Sequence, residues 1–281
     1  MKRKRDRIHV LRLGIQAAFV AFILVAAVRH NTSAVETPST HAYCPFGIVA
    51  SIGPLLETGN LAPKLHLSTA VLGVGVLVGA ILAGGAFCGW VCPFGTLQDA
   101  LNWVRAKLHI REVTVPARVD RFLRYGRYVL LLGIVYATWA TAKLWFADYD
   151  PYYTLFSLSW LFEFNLAAHW PAYLIVVSIV AGSLFIPRLW CRYLCPLGGL
   201  LSLLQRISPI KVRRNAQVCI DCKRCDRVCP ARLQVSTGQA VTHDCSMCLR
   251  CTSSCPVPGA LELRLPQAKG TSATPKEVKP A

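Results

Sequence analysis

Acidic residues are the scarce charge in this chain. Its 281 residues include 14 Asp and Glu against 31 Lys and Arg, a net charge of +17. Charge as a whole is thin: 16% of residues carry one, while 54% are hydrophobic. Soluble basic proteins are not this apolar, so the composition points to a basic integral membrane protein. Nucleic-acid binding needs its positive charge gathered in a patch or stripe. Here the charge is spread along segments flanking apolar runs, which argues against a nucleic-acid partner. Histidine is absent from the apolar runs; His9, His30, His41, His66, His109, His169 and His243 lie near or beyond their ends. Haem held by facing histidines inside a bundle is therefore disfavoured. No glycine-rich phosphate loop occurs, so NAD or ATP chemistry is not indicated.

Cysteine, by contrast, is plentiful, with 13 residues. Eight fall in two runs, Cys219-x2-Cys222-x2-Cys225-x3-Cys229-Pro230 and Cys245-x2-Cys248-x2-Cys251-x3-Cys255-Pro256. A cubane iron–sulfur cluster takes three thiolates from one tight loop and a fourth from elsewhere. In two-cluster ferredoxins the fourth cysteine of each run crosses to the other cluster. The spacing therefore predicts two [4Fe–4S] clusters. One is held by Cys219, Cys222, Cys225 and Cys255, the other by Cys245, Cys248, Cys251 and Cys229. Zinc prefers two separated C-x2-C pairs and fits this spacing poorly. A disulfide scaffold needs an oxidising compartment, which the topology below disfavours.

Four apolar runs, 13–28, 68–87, 128–147 and 171–190, read as membrane helices. No small-x-small cleavage site follows the first, so an uncleaved helix is expected, with Arg12 snorkelling at its end. Gly75 and Gly79 are spaced for close helix packing. With the N-terminus inside, the inner segments hold 28 Lys and Arg and the outer loops two. This asymmetry places both termini and the cysteine runs in the cytoplasm of a bacterial inner membrane. The expected fold is mostly α: a four-helix transmembrane bundle of two 2-helix repeats, with a C-terminal α+β two-cluster ferredoxin domain. Its segments are a basic arm (1–12), the bundle (13–198), the ferredoxin domain (199–265) and a Lys/Pro-rich tail (266–281), the last expected to be disordered.

Each half of the bundle ends inside with C-x3-C-P-x-G: Cys88 and Cys92 in the first, Cys191 and Cys195 in the second. Cysteines at i and i+4 share one helix face, and the proline ends or kinks the helix. Two halves in the same orientation make the corners face each other. Three readings fit four facing thiols: a third cluster shared by the repeats, redox-active dithiols, or small residues at packed helix ends. Cys44 stands alone on the outer side, either a thiol near a quinone pocket or a buried apolar residue. Glu57, Asp148, Asp150 and Glu163 are candidate proton acceptors, each expected to be an exposed loop carboxylate. Lys223, Arg224, Arg227, Arg232 and Arg250 sit among the cluster ligands, where positive charge raises potentials.

The chain resembles the NapH-type membrane ferredoxins on three features. These are His41-Ala42-Tyr43-Cys44-Pro45-Phe46-Gly47, the two C-x3-C-P corners and the C-terminal double cysteine run. The likeness extends to the membrane core of NosR regulators and to the methylamine-utilisation protein MauN, over about residues 10–262. It implies electron flow between the quinone pool and a partner redox enzyme. The outer flavin-binding domain of the NosR type and the C-terminal domain of copper-handling relatives have no counterpart here. The expected function is a lipid-embedded iron–sulfur relay between quinol and a partner redox protein. The alternatives are an assembly factor that supplies reducing equivalents to a metalloenzyme, and a cluster-based redox sensor.

Overall fold

The computed structural model describes residues 2–32, 46–47, 67–141, 146, 149–162, 165–238, 240–241 and 243–265. Cys44, Glu57, Asp148, Glu163 and the tail 266–281 lie outside the described residues. The chain is mostly helical. Helix α1 (Lys2–Thr32) is followed by α2 (Leu67–Ala83), α3 (Ala86–Trp90), α4 (Pro93–Lys107), α5 (Ala117–Leu123) and α6 (Gly126–Thr141). Then come α7 (Pro151–Phe156), α8 (Ser159–Phe162), α9 (Leu166–Phe185), a π-helical turn (Trp190–Leu194) and α10 (Pro196–Ile207). Strand β1 (Lys211–Arg214), short helices α11 (Arg224–Arg227) and α12 (Arg250–Ser254), and strand β2 (Leu261–Arg264) complete the C-terminal unit.

Helices α1, α2, α6 and α9 coincide with the four apolar runs. Among the described residues one helical stretch, Arg7–Thr32, is long and apolar enough by itself to cross a membrane. Val71–Ala83 and His169–Phe185 are shorter apolar stretches. Helix α9 bends at His169, whose φ of −119° is not helical, two residues before Pro171. A proline ring clashes with the preceding turn, so the bend belongs there.

The packing is two-fold in pattern. Helix α4 lies against α1 and α9, and α10 lies against α6 and α2. Each helix that leaves a corner thus packs on the first apolar helix of its own half and the second of the other. Leu131, Ile134, Leu197 and Leu201 form one buried cluster with Phe46; Ile23, Phe94, Phe156, Ile179 and Trp190 form a second. Gly75 and Gly79 contact nothing that a Cβ would meet, so close packing occurs elsewhere.

Strands β1 and β2 pair antiparallel, Lys211 opposite Arg264 and Arg214 opposite Leu261. They close a small core of Val212, Val235, Met247, Cys251, Cys255 and Leu261. The pair clamps the ends of the segment that carries both cysteine runs.

Candidate functional site: a thiol-lined junction under the second cysteine run

The corners do not keep their cysteines on one continuous helix face, as i, i+4 spacing suggests. Helix α3 ends at Trp90, and Cys92 leaves helical geometry (φ −62°, ψ 118°) to become the N-cap of α4. In the second half Cys191 lies inside the π-helical turn, and Cys195 caps α10 with the same geometry (φ −64°, ψ 114°). The cause is Pro93 and Pro196 at the first helical position, which suit a new helix start and cannot continue the old one. The glycine of the motif has a steric reason. A Cβ on Gly95 would stand 2.4 Å from the Cys88 carbonyl oxygen, and one on Gly198 3.3 Å from that of Cys191.

All four corner cysteines line one cavity, together with Arg127, Arg188, Arg192, Gln205 and Cys245. Cys245 belongs to the second cysteine run, so the ferredoxin segment forms part of the wall. Its loop is pressed onto α3 with no room for side chains. A Cβ on Gly85 would lie 2.4 Å from the Cys245 carbonyl oxygen, and one on Gly89 2.0 Å from that of Ser246. Trp90 Nε1 donates to the Met247 carbonyl at 2.9 Å, and the Cys245 amide donates to Gln205 Oε1 at 2.9 Å. Arg124 and Arg127 both grip Asp244. Burial alone would raise the Asp244 carboxyl, but the Arg127 and Arg124 charges outweigh it and hold the group below its usual range. Three buried donors on the cavity-lining residues, Arg127 Nε, Arg192 Nε and Gln205 Nε2, have no partner among the described residues.

Arg12 does not snorkel; it is 1% exposed. Its guanidinium donates to the Gly89 carbonyl and to Asp99, which also receives two hydrogen bonds from Arg188, at 3.0 and 2.8 Å. Burial works to raise the Asp99 carboxyl, yet Arg188, Arg250 and Arg12 hold it below the ordinary carboxylate range. The charge turns inward because Asp99 lies one and a half turns past the corner proline, level with the inner end of α1. Local hydropathy carries no trace of a partner 87 residues away.

Asp150 is not an exposed loop carboxylate either. It is half-buried, caps α7 by accepting from the Tyr152 amide at 3.0 Å, and acts electrostatically on Cys92. Burial pushes its carboxyl up to about 7, against the lowering effect of that one amide. A signal for it exists in the sequence. Tyr149-Asp150-Pro151-Tyr152 repeats the pattern of Tyr43-Cys44-Pro45-Phe46, so the two halves match beyond the corners. Phe46 and Phe146 meet edge-on at 6.3 Å, in the cluster that borders Cys88 and Cys195.

The C-terminal unit sorts the remaining eight cysteines in two groups. Cys219, Cys222, Cys225 and Cys255 line one cavity. Cys229 instead lies within electrostatic reach of Cys245, Cys248 and Cys251. Burial pushes Cys245 up to about 12, with Cys248 and Cys229 adding to it. Both runs bend the backbone identically. Asp221 and Lys223 in the first, and Met247 and Leu249 in the second, take positive φ between 49° and 56°. Among the described residues no three His, Cys, Asp or Glu side chains converge as ligands of one metal ion do. A cubane needs no such convergence, because each thiolate takes a different iron.

Comparison with known proteins follows the same geography. A family described as 4Fe-4S binding domain matches residues 65–111 and 168–215, the two segments that contain the corners. The putative electron transport protein YccM of Escherichia coli K12 is 32% identical over 269 residues, covering 94% of this chain and 75% of YccM. The ferredoxin-type protein NapH of Haemophilus influenzae is 30% identical, covering 72% of this chain and 71% of NapH. This chain belongs to the NapH-type membrane ferredoxins. It is an iron–sulfur electron-transfer protein of that family, with [4Fe–4S] clusters. NirI of Paracoccus denitrificans is 30% identical over 81% of this chain, which spans only 33% of NirI. No solved structure matches.

Proposed function

We propose that this NapH-type ferredoxin takes electrons from quinol at its membrane bundle and hands them singly to a partner redox protein. The observation that carries the reading is the seating of the Cys245–Met247 loop on α3, which makes Cys245 a wall of the corner cavity. Three thiol groups then follow one another outward: the corners, the Cys229/Cys245/Cys248/Cys251 set, and the Cys219/Cys222/Cys225/Cys255 set, whose Cys222 is exposed. When bound, iron–sulfur clusters supply one-electron carriers between two-electron quinol and its acceptor. Crossed ligation assigns the two C-terminal sets to two [4Fe–4S] clusters. Cys88, Cys92, Cys191 and Cys195 would hold a third. The unpartnered donors of Arg127, Arg192 and Gln205 suit a sulfur-rich anionic group in that cavity, since buried donors left unmet are costly.

The chain's own groups fit the rest of the task. Quinol oxidation releases two protons, and a carboxyl poised near neutrality such as Asp150 exchanges protons at cellular pH. Lipid contact is supported by apolar side chains that stay exposed among the described residues: Val25 on α1, Val71 on α2, Leu132 on α6 and Val177 on α9. We read these helices as four spans of the bacterial inner membrane, with both termini and the ferredoxin unit in the cytoplasm.

The test is anaerobic purification of wild type, Cys92→Ser and Cys195→Ser in detergent, with iron quantification and EPR. Each substitution is expected to abolish quinol-driven reduction of the C-terminal clusters, which dithionite still reduces. Iron falls by a similar amount in both if the corners hold a cluster. Wild-type reduction in either variant would sink the relay reading.

A further inference from the structure

Beside Cys229 and Pro230 of the ferredoxin unit lies a groove of about 420 Å³, distinct from the corner cavity, whose basic side chains have no part in the relay proposed above. It is lined by four guanidiniums, Arg105, Arg227, Arg232 and Arg250, against one carboxylate, Glu112. Glu112 is already taken. Arg105 Nη1 meets it at 2.9 Å, and Arg232 meets its other oxygen. Among the described residues Arg227 has no carboxylate; it donates to the Cys222 carbonyl at 3.3 Å. Arg250 reaches Asp99 only at 3.8 Å, and that carboxylate already serves Arg12 and Arg188. The Arg227 fork therefore lines this polar groove with no acidic partner among the described residues, and the Arg250 fork with only a distant, shared one.

Arginine forks match phosphate oxygens in pairs and are less strongly hydrated than lysine. The height of the groove says which phosphate. Its lining includes His9, four residues before the apolar run of α1, and Pro187, just past the end of α9. Both positions mark the inner ends of helices read above as membrane spans. Trp103 is 63% exposed on the neighbouring turn of α4, with Lys107 Nζ 5.2 Å from its ring centroid, a pairing suited to the membrane interface. Val10 and Leu108 are also exposed nearby in sequence.

We infer that this groove binds the phosphate of an anionic phospholipid headgroup of the inner leaflet, held between Arg227 and Arg250 and bridging bundle to ferredoxin unit. The inference rests on the membrane topology proposed above, not on the relay. Basic pockets at the cytoplasmic ends of membrane helices are suited to such headgroups.

The experiment uses the full chain with its clusters, delipidated in neutral detergent. Native mass spectrometry follows retention of added phosphatidylglycerol, of phosphatidylcholine, and of inorganic phosphate. Phosphatidylglycerol is expected to bind wild type in a one-to-one complex and phosphatidylcholine far more weakly. The double variant Arg227→Gln/Arg250→Gln is expected to lose about thirtyfold in phosphatidylglycerol affinity, from roughly 1 kcal/mol per arginine at an anionic surface. A control pair on an exposed basic surface, Arg118→Gln/Arg121→Gln, is expected to bind as wild type. Arg227→Lys/Arg250→Lys, which keeps the charge but loses the forks, is expected to fall between. Iron content and EPR confirm that each variant holds its clusters. Equal retention of the two lipids, equal loss in the control pair, or displacement of the lipid by millimolar inorganic phosphate would overturn the assignment.

Discussion

The two cysteine runs of the C-terminal unit share a backbone and differ in what surrounds them. Both place left-handed residues at the same two positions, and both enter a short helix at the third cysteine. The second run lies against α3, with Gly85 and Gly89 beneath its carbonyls and Asp244 gripped by two arginines. The first run faces outward. Cys222 is exposed, Ile220 is 64% exposed, and the pair Arg214–Asp221 lies at the surface. Loops of the same backbone have thus become an inner and an outer one through their neighbours alone. In the relay proposed above, place in the electron path would follow from docking and not from the cysteine motif.

The strongest way to break this comparison is to remove a crossing ligand. Cys229→Ala is expected to erase the EPR signal of the inner set, although Cys229 belongs to the outer run, and to leave the outer signal. Cys255→Ala is expected to do the converse. Loss of the signal from each residue's own run would show uncrossed ligation.

A smaller but still severe effect is expected from the seat. Gly89→Ala forces a Cβ to 2.0 Å from a backbone oxygen, so the loop must lift. Overpacking of this kind costs about 1–3 kcal/mol, sometimes more. The thermal midpoint is expected to drop and quinol-driven reduction to slow at both clusters, while dithionite reduction stays normal. Gly75→Ala, in open space on α2, is the matched control and is expected to be neutral within ~0.5 kcal/mol. A slowed Gly75→Ala and an unaffected Gly89→Ala would undo the docking argument.

Asp244→Asn tests the grip itself. It leaves two buried arginines facing an amide, and breaking such a pair costs about 3–5 kcal/mol in full burial and less here, where Arg124 is partly solvated. Amide exchange is expected to rise through residues 243–248 and to stay unchanged through 219–225. Uniform protection across both runs would contradict the distinction drawn between them.

The mildest prediction concerns Asp150, whose folded-state carboxyl titrates near 7 against an unfolded value near 3.9. A raised pKa means that the folded protein binds more protons in that window. Its stabilising share is therefore fully present below the unfolded value and is lost as pH rises through about 7. Wild type is expected to lose on the order of 1 kcal/mol between pH 5 and 8, after discounting for solvent at the half-buried group. Asp150→Asn is expected to flatten that slope in thermal melts. An unchanged slope would place the titrating group elsewhere.

These sites differ in how much of them the sequence reveals. The grouping of the eight C-terminal cysteines into two sets of four is readable because the spacing within each run fixes which thiols share a loop. The corners are readable as a repeat, although proline breaks the helix and ends the shared face that i, i+4 spacing suggests. Arg12 and Asp150 are the misreadings, because both are withdrawn from solvent. A charge beside an apolar run is ordinarily solvated, but Asp99, 87 residues away, turns Arg12 inward, and the start of α7 that Asp150 caps is packed away from solvent. Likewise the small residues that matter are Gly85 and Gly89, set by the approach of a distant loop, rather than the regularly spaced Gly75 and Gly79.

The seat on α3 also has a meaning in time. Helix α3 emerges early in synthesis, and Arg12 from the first helix can reach the Gly89 carbonyl and Asp99 as soon as α4 is made. The loop that packs on the same helix begins only at Cys245, late in the chain. The first corner therefore waits, half enclosed, through most of translation. Its second wall arrives with the start of the last cysteine run, so the junction is completed only after all four corner thiols and the whole first run have been made.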